Sequence, residues 1–233
     1  MPASTARNVL IVGASRGLGL EFVRQYRADG ARVTATARGD DGLAAIAALG
    51  ARPLKLDVAD AASASGLAWQ VDGEAFDTVL YVAGVYGPRT AGLEPPSVAD
   101  FDAVMHANVL GAMRVLPSVA DALAPPVGGL PGARIGVISS RMGSIGLRTG
   151  TAGWTYRASK AAVNSVLKDA SIALAGRALC VALHPGWVRT DMGGAGADID
   201  AADSVAGMRR ALAALAPAHN GSFLNYDGTP LAW

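Results

Sequence analysis

Two side chains one helical turn apart, Tyr156 and Lys160 in the segment TYRASKAAVN, form the most chemically informative pair in this sequence. At spacing i, i+4 on a helix they share one face, about 5–6 Å apart at Cβ. A cation beside a phenol stabilises the phenolate and lowers the phenol pKa from its usual value of about 10. Such a tyrosine suits proton transfer in a carbonyl/alcohol couple. Lysine is otherwise scarce, since only Lys55 and Lys168 accompany Lys160. The alternative is a chance pair on an ordinary helix face.

A glycine-rich turn near the start of the chain is a second candidate site. In NVLIVGASRGLGLEF, the buried strand pattern of Val9–Val12 leads into Gly13, Gly17 and Gly19, and apolar residues then recur at helical spacing. A helix that begins at such a turn directs its free amides and its dipole toward an anion, and glycine lets a phosphate come close. The spacing G-x-x-x-G-x-G differs from the common G-x-G-x-x-G fingerprint. A tight strand-to-helix turn that binds nothing is the alternative.

The overall composition bounds the class of protein. The chain has 233 residues, of which 51% are hydrophobic and 17% charged, with a formal net charge of +1, so it predicts a folded core and no nucleic-acid or anionic-membrane partner. The sequence contains no run of about 18 uncharged apolar residues, so no membrane-spanning helix is predicted. The N-terminal MPASTARN lacks an apolar signal core. Cys180 is the only cysteine, which excludes an intrachain disulfide, predicts a buried strand residue and fits a cytoplasmic protein.

Strand and helix patterns alternate along the chain, which predicts an α/β fold: a single doubly wound Rossmann domain over residues 1–233, with a seven-stranded, mainly parallel sheet and helices on both faces. The strands are predicted at residues 9–12, 31–36, 52–56, 76–82, 133–139, 178–184 and 222–225. The helices are predicted from Leu18 and at 43–49, 61–70, 98–123, 155–175 and 201–215. Pro117 is expected to kink or divide the fourth of these helices.

The same pattern locates a ligand site before any motif is used. Doubly wound sheets bind ligands outside the carboxyl ends of their strands. The loops 86–96, 142–154 and 187–200 are therefore predicted to line a substrate pocket, with an apolar or aromatic surface that includes Val85, Tyr86, Met142, Trp154, Trp187 and Met192.

Taken together, seven landmarks in order resemble the short-chain dehydrogenase/reductase family over roughly residues 8–225. These are G-A-S-R-G-L-G from Gly13, Asp57-Val58, Ala83-Gly84, Asn108, Ser139-Ser140, Tyr156-x-x-x-Lys160 and Pro185-Gly186. The segments ISSRMGSIG and GSFLNYDGTPLAW further resemble the C-factor-like branch of that family. The resemblance divides the domain into a cofactor half, about 8–125, and a catalytic and substrate half, about 130–233.

The resemblance implies a catalytic tetrad. Tyr156 would be the general acid/base, and Lys160 would bind the ribose of the nicotinamide half and depress the pKa of Tyr156. Ser140, rather than Ser139, would polarise the substrate oxygen, and Asn108 would hold a water that links Lys160 to solvent. From the residues alone, Asn108 also fits a polar side chain that satisfies a helix kink.

The resemblance also implies a set of cofactor contacts. The pyrophosphate and adenosine phosphates would lie on Gly13, Ser15, Arg16, Gly17, Leu18 and Gly19. Asp57 and Val58 would meet the adenine, Ala83 and Gly84 would lie close to the cofactor, and Tyr156 and Lys160 would touch its nicotinamide half. Pro185, Gly186, Val188 and Thr190 would flank the nicotinamide.

Two positions depart from the family pattern, and neither removes a reacting group. Tyr81-Val82 stands where the family carries two asparagines before Ala83-Gly84, which weakens the expected bracing of the sheet centre. Val12 replaces a threonine and loses its hydroxyl.

Cofactor preference follows from the end of the second strand. NAD sites place an acidic residue there to bind the ribose 2′-hydroxyl. This chain has Ala37 followed by Arg38, and Arg38 with Arg16 could clamp a 2′-phosphate. Asp40 and Asp41 are interpreted as the cap of the next helix. The sequence favours NADP(H), with NAD(H) as the alternative.

Other candidate residues are interpreted as structural. His106, His184 and His219 lack metal-ligand spacing, so no metal site is expected, and Ser140 has no evident His/acid partner for a hydrolase. Trp69 is interpreted as a core residue. The apolar stripe from Trp154 to Ala175 is interpreted as core plus a subunit interface, because helices of this family often pack into dimers or tetramers.

Two functions follow from these observations. The first is an oxidoreductase that interconverts a ketone or aldehyde and an alcohol. The second is a nucleotide-binding signalling or regulatory protein with little catalysis.

Overall fold

A computed structural model describes residues 7–233 as a seven-stranded, entirely parallel sheet covered by helices on both faces. The strands of this sheet are β1 Asn8–Val12, β2 Arg32–Ala37, β3 Arg52–Lys55, β4 Thr78–Tyr81, β5 Ala133–Ile138, β6 Ala178–His184 and β9 Ser222–Asn225. Their order is β3-β2-β1-β4-β5-β6-β9, which reverses direction between β1 and β4. The predicted doubly wound fold is confirmed. The segment 1–6, which carries most of MPASTARN, lies outside the described residues.

The helices divide between the two faces of the sheet. They are α1 Gly17–Ala28, α2 Asp40–Ala48, α3 Ala61–Ser65, α4 Leu67–Gln70, α5 Val98–Met105, α6 Gly111–Ser118, α7 Trp154–Ala173 and α8 Ala201–Ala213. The side chains of β1 show how the core forms, because they alternate: Leu10 and Val12 pack with α4, α6 and α7, whereas Val9 and Ile11 pack with α1, α2 and α8. All four side chains are fully buried, so β1 anchors both layers.

The predicted helix 98–123 is broken at a different place from the one expected. Its pattern was interpreted as continuous up to Pro117, but a π-helical turn at His106–Leu110 separates α5 from α6. Pro117 lies inside α6, one residue before its end, and a 3₁₀ turn at Ala120–Ala122 follows. The π-turn carries Asn108, and such turns often occur at functional sites.

Trp69 is not a core residue. Its side chain is 87% exposed, because the predicted helix 61–70 is divided at Gly66 into α3 and the single turn α4. In α4 the fully buried Leu67 faces the core, and a residue two positions later points about 200° away around the helix. The prediction for Cys180 is confirmed, since it is fully buried in β6.

The loop after β6 contains a small element that its sequence did not predict. Val188–Arg189 (β7) and Ile199–Asp200 (β8) form a two-stranded parallel pair, and an exposed Arg189–Asp200 ion pair at 2.7 Å joins the two strands. The β7–β8 strand pair closes the loop 187–200 beside the carboxyl edge of the main sheet. Within residues 7–233, no helix is long and apolar enough to cross a membrane.

Candidate active site and nucleotide cavity

A cavity of about 220 Å³ lies along the carboxyl edge of the sheet, over the ends of β1, β2 and β4. Most of the residues predicted to hold a nucleotide line it, namely Gly13, Ser15, Arg16, Gly17, Leu18, Gly19, Arg38, Asp57, Val58, Ala83, Gly84 and Thr190. Its walls also contain residues that were not predicted as contacts, among them Thr36, Leu56, Ala59, Val82, Ala107 and Asp191. Thr36 and Leu56 could have been found, because they are the last residues of the predicted strands 31–36 and 52–56, which meet at this edge.

The glycine turn is shaped by close backbone packing. Gly13 has a φ of +89°, and a Cβ there would lie 2.6 Å from the backbone of Ala83 at the end of β4. The amide of Gly13 donates to Thr36 Oγ1 at 3.0 Å, so β2 supplies a hydroxyl near the position where Val12 lacks one. No side chain caps α1, which leaves the first amides of this 12-residue helix facing the cavity. The turn therefore fits an anion such as a pyrophosphate.

Two arginines flank this cavity in different states. Arg16 forms a 3.2 Å ion pair with Asp191, and both side chains are about three-quarters exposed. An exposed pair of this kind contributes little free energy, so Arg16 can exchange partners at small cost. Arg38 is exposed and makes no hydrogen bond or ion pair among residues 7–233. At the end of β2, Ala37 is buried and offers no carboxylate, while Asp40 and Asp41 lie in the first turn of α2.

The predicted pair Tyr156 and Lys160 lies on the buried face of α7, beside the cavity rather than in its wall. Lys160 Nζ lies 5.6 Å from the centroid of the Tyr156 ring and donates to the Ile138 carbonyl at 2.8 Å. A Cβ at Gly84 would lie 3.5 Å from this Nζ and 3.0 Å from Asn108 Oδ1. Gly84 therefore separates the cavity from both side chains by the thickness of one backbone.

The expected lowering of the Tyr156 pKa is wrong for this structure. Burial raises the pKa of Tyr156 well above its usual value; the hydrogen bond with Ser140 opposes that shift and the neighbouring Tyr86 adds to it. Burial also lowers the pKa of Lys160 to about 8. The Lys160 ammonium is directed at the Ile138 carbonyl instead of the phenol oxygen, so the effect of burial on the Tyr156 pKa is larger than that of the Lys160 charge. Tyr156 is consequently a protonated phenol at neutral pH, which is the form that a proton donor requires.

Ser140 faces Tyr156 from the turn that follows β5. A 3₁₀ turn at Arg141–Gly143 brings it there, and the Ser140 hydroxyl accepts from the Met142 amide at 3.1 Å. This turn packs directly on α7, where a Cβ at Gly143 would lie 2.7 Å from the Lys160 backbone. Ser139 is engaged elsewhere, since its hydroxyl donates to Asn164 Oδ1 at 2.5 Å. The arrangement leaves Ser140, not Ser139, next to the phenol.

Asn108 ties the π-turn to the loop after β4 and to α7. Its side chain accepts from the Val85 amide at 2.8 Å and donates to the Val85 carbonyl and to Ser159 Oγ, both at 2.9 Å. Tyr81, which replaces an asparagine of the family pattern, donates its hydroxyl to the Ala107 carbonyl at 2.6 Å. The departure at Tyr81 thus supplies a different brace, from the sheet centre to the π-turn.

Three predicted nicotinamide contacts lie outside the cavity wall. The Pro185 carbonyl accepts from Ser204 Oγ at 2.6 Å, and Val188 is buried in the β7–β8 pair. Gly186, with a φ of +84°, packs against Ile199 and Tyr226. All three shape the loop after β6, and only Thr190 of this group lines the cavity. Asp57 lines it too, although its carboxylate accepts from the Ala59 amide in a local turn.

The three histidines form no common site. Burial lowers the pKa of His184 to about 4, and the Arg141 charge acts in the same direction. Among residues 7–233, no three His, Cys, Asp or Glu side chains lie together in a way that could hold a metal ion.

Comparisons with known proteins agree with this geometry. The family model for short chain dehydrogenase matches residues 7–198. C-signal from Myxococcus xanthus is 39% identical over 164 residues, which cover 67% of this chain and 92% of that protein. The 1-hydroxy-2-glutathionyl-2-methyl-3-butene dehydrogenase of Rhodococcus sp. (strain AD45) is 32% identical and covers 97% of this chain and 99% of its own. The NADPH-bound carbonyl reductase from chicken fatty liver superimposes with a TM-score of 0.86 at 30% identity, covering 98% of this chain and 99% of that one.

Proposed function

The chain belongs to the short-chain dehydrogenase/reductase family, and from that premise we propose that it is an NADP(H)-dependent oxidoreductase that interconverts a ketone or aldehyde and an alcohol. One observation carries the proposal most directly. Tyr156, Ser140, Lys160 and Asn108, contributed by three separate segments, meet at the carboxyl edge of the sheet, next to a cavity with a glycine turn and an uncapped helix. A pure nucleotide binder has no physical need for all four.

In this proposal each residue has a role in moving or holding a proton. The Tyr156 phenol donates its proton to the substrate oxygen as that oxygen gains negative charge, and takes a proton back in the reverse direction. The Ser140 hydroxyl, which lies next to this phenol, orients the same oxygen. Lys160 places its cation 5.6 Å from the centroid of the Tyr156 ring. Asn108 fixes the loop after β4, which passes between Lys160 and the cavity. A bound dihydronicotinamide supplies the hydride.

The preference for NADP(H) rests on the guanidinium of Arg38, which has no partner among residues 7–233. A 2′-phosphate at the end of β2 would meet Arg38 and, after exchange from Asp191, Arg16. No carboxylate stands at Ala37 to hold a ribose 2′-hydroxyl. The chicken carbonyl reductase, a structural neighbour, is described with NADPH bound. NAD(H) remains the alternative cofactor.

A signalling or regulatory role is the second candidate, and the relative named C-signal favours it. The two functions differ in what Tyr156 must do. A regulatory protein needs the nucleotide cavity alone, so replacing the phenol hydroxyl would leave its function intact.

The test is a fluorescence titration with NADPH and NADH, followed by turnover of NADPH against a panel of ketones and aldehydes. The proposal expects tighter binding of NADPH than of NADH, and oxidation of NADPH by some members of the panel. Binding without turnover on any compound would favour the regulatory alternative, and failure to bind either nucleotide would contradict both.

We also propose a homodimer or homotetramer in the cytoplasm. Phe101 on α5, Met113 on α6 and Ile172 on α7 are apolar side chains left 44–66% exposed, on helices that contact one another. Light scattering on the purified protein would give the mass of the assembly, and a monomer would contradict this part of the proposal.

A further inference from the structure

The loop that follows β4 places an aromatic side chain directly on Tyr156. The rings of Tyr86 and Tyr156 stack with centroids 4.6 Å apart and an interplanar angle of 23°. Aromatic pairs at this distance attract each other beyond the area that they bury. Tyr86 is only partly buried, so core packing alone does not account for its place.

Two anchors on separate elements hold this loop in position. The carbonyl of Thr90 accepts from the amide of Gly153 at 3.1 Å, at the residue that precedes α7. Arg89 lies over the other face of the Tyr86 ring, 4.9 Å from its centroid, and donates to the Met192 carbonyl at 2.8 Å. The loop is thus fixed both to the helix that carries Tyr156 and to the loop 187–200.

Gly153 provides the seat for the Tyr86 hydroxyl. It has a φ of +67°, and a Cβ there would lie 2.5 Å from Tyr86 Oη and 3.1 Å from Cζ. Any other residue at position 153 would displace the Tyr86 side chain. Tyr86 is therefore wedged between the start of α7 and the Tyr156 ring, one turn further along the same helix.

We propose that Tyr86 is a positioning residue, whose ring holds the Tyr156 phenol in the one orientation that directs it at Ser140 and the substrate oxygen. Every feature of the loop serves this placement: the stack on one face, the Arg89 guanidinium on the other, and the glycine seat at the hydroxyl. This inference rests on the proposed function, because it assigns Tyr86 to the reaction of Tyr156.

The test compares Tyr86→Leu, which removes the ring, with Tyr86→Phe, which keeps it. Misplacement by about 1 Å can cost 100-fold in rate, so Tyr86→Leu should lose roughly 10- to 100-fold in kcat at unchanged Kd for NADPH. Tyr86→Phe should stay within about threefold of the unaltered protein. A Tyr86→Leu protein with full kcat would overturn the proposal, and so would equal losses in both variants.

A second readout follows the phenol itself. The groups that face Tyr156 are Tyr86, Ser140 and Lys160, with Arg89 behind Tyr86. Because burial, and to a smaller extent the neighbouring Tyr86, raises the pKa of Tyr156, Tyr86→Leu should let Tyr156 ionise at lower pH than in the unaltered protein; the ionisation is measured as the difference in tyrosinate absorbance between each of these proteins and its Tyr156→Phe counterpart. An unshifted ionisation would show that the stack does not act on Tyr156.

The glycine seat gives an independent steric test. Gly153→Ala should lower kcat because the φ of +67° strains an L residue and because the new Cβ pushes Tyr86 off its place; adding Tyr86→Phe should restore the second part of the loss, since the closest contact is removed. No restoration would contradict the wedge. If the unaltered protein binds NADPH yet reduces no carbonyl compound, the proposed function fails, whereas the ionisation readout still decides whether Tyr86 controls Tyr156.

Discussion

The two halves of the carboxyl edge are built in opposite ways. The nucleotide side is made of backbone, glycine and exposed charge: the Gly13 turn, the open amides of α1, and the cations Arg16 and Arg38. The catalytic side is made of buried side chains, since Asn108 is 1% exposed, Lys160 5% and Tyr156 7%. Changes on the first side should therefore act on affinity, and changes on the second on turnover and stability.

The variant Tyr156→Phe tests this division between affinity and turnover with the largest expected effect. It removes only the hydroxyl that donates the proton, and general acid catalysis is worth about 10²–10⁴-fold. We expect kcat to fall by that factor, with the Kd for NADPH nearly unchanged because phenylalanine keeps the ring and leaves the residues that line the nucleotide cavity in place. Steady-state kinetics and fluorescence titration measure the two quantities. Normal turnover by this variant would contradict the assigned mechanism.

Asn108→Ala tests whether the buried network also stabilises the fold. The change leaves the Val85 amide, the Val85 carbonyl and Ser159 Oγ without their shared partner. Unsatisfied buried groups cost about 1–3 kcal/mol each, so the free energy of unfolding should fall by roughly 3 kcal/mol. Urea unfolding measures it, with the exposed Asp102→Ala on α5 as the control. A loss no greater than the control would show that the network is dispensable.

His184 makes the catalytic half sensitive to acid. Its pKa is lowered to about 4 in the folded protein, against about 6.5 when unfolded. Between these values the unfolded chain binds the extra proton, so stability is full above pH 6.5 and is lost as the pH falls toward 4. We expect a loss of about 2 kcal/mol over this window that His184→Gln removes. The exposed His106→Gln is the control, and a parallel pH dependence in both variants would contradict the effect.

Arg38→Ala should give the smallest effect, and on affinity alone. A charge-assisted bond to phosphate is worth about 1.5 kcal/mol at an exposed site, which is roughly tenfold in the Kd for NADPH. The Kd for NADH and the kcat should not change. Lys55→Ala is a matched control, because Lys55 pairs in register with Ala37 on the neighbouring strand but does not line the cavity. Equal losses of affinity for NADPH and NADH would show that Arg38 does not bind the 2′-phosphate.

The sequence predicted best what depends on apolar runs and strand ends. The bounds of β6 and β9 were predicted to the residue. The glycine turn and Arg38 lie on one cavity, as expected of parallel strands that end at one edge, whereas Thr190 was named through the family resemblance. The π-turn was missed, because an inserted residue in a helix leaves the apolar pattern of 98–123 almost continuous. Trp69 was misassigned, because a divided helix changes which side faces the core.

Pairings between distant loops could not be predicted from spacing. Nothing in the sequence indicates that Arg16 meets Asp191 or that Tyr86 stacks on Tyr156. The pKa of Tyr156 was wrong in direction for the same reason: spacing gives the proximity of Lys160, whereas burial and the direction of its ammonium come from the packed structure.

The most direct test of the account is isotope transfer from NADPH that carries deuterium at the reactive carbon of its dihydronicotinamide, for both positions of the label. Mass spectrometry of the alcohol formed from each carbonyl compound reads whether the label is delivered. The account predicts one deuterium in the product from one of the two labelled forms, and almost none of that product with Tyr156→Phe. Tight binding of NADPH with no deuterium in any product would contradict the reductase and favour the regulatory role.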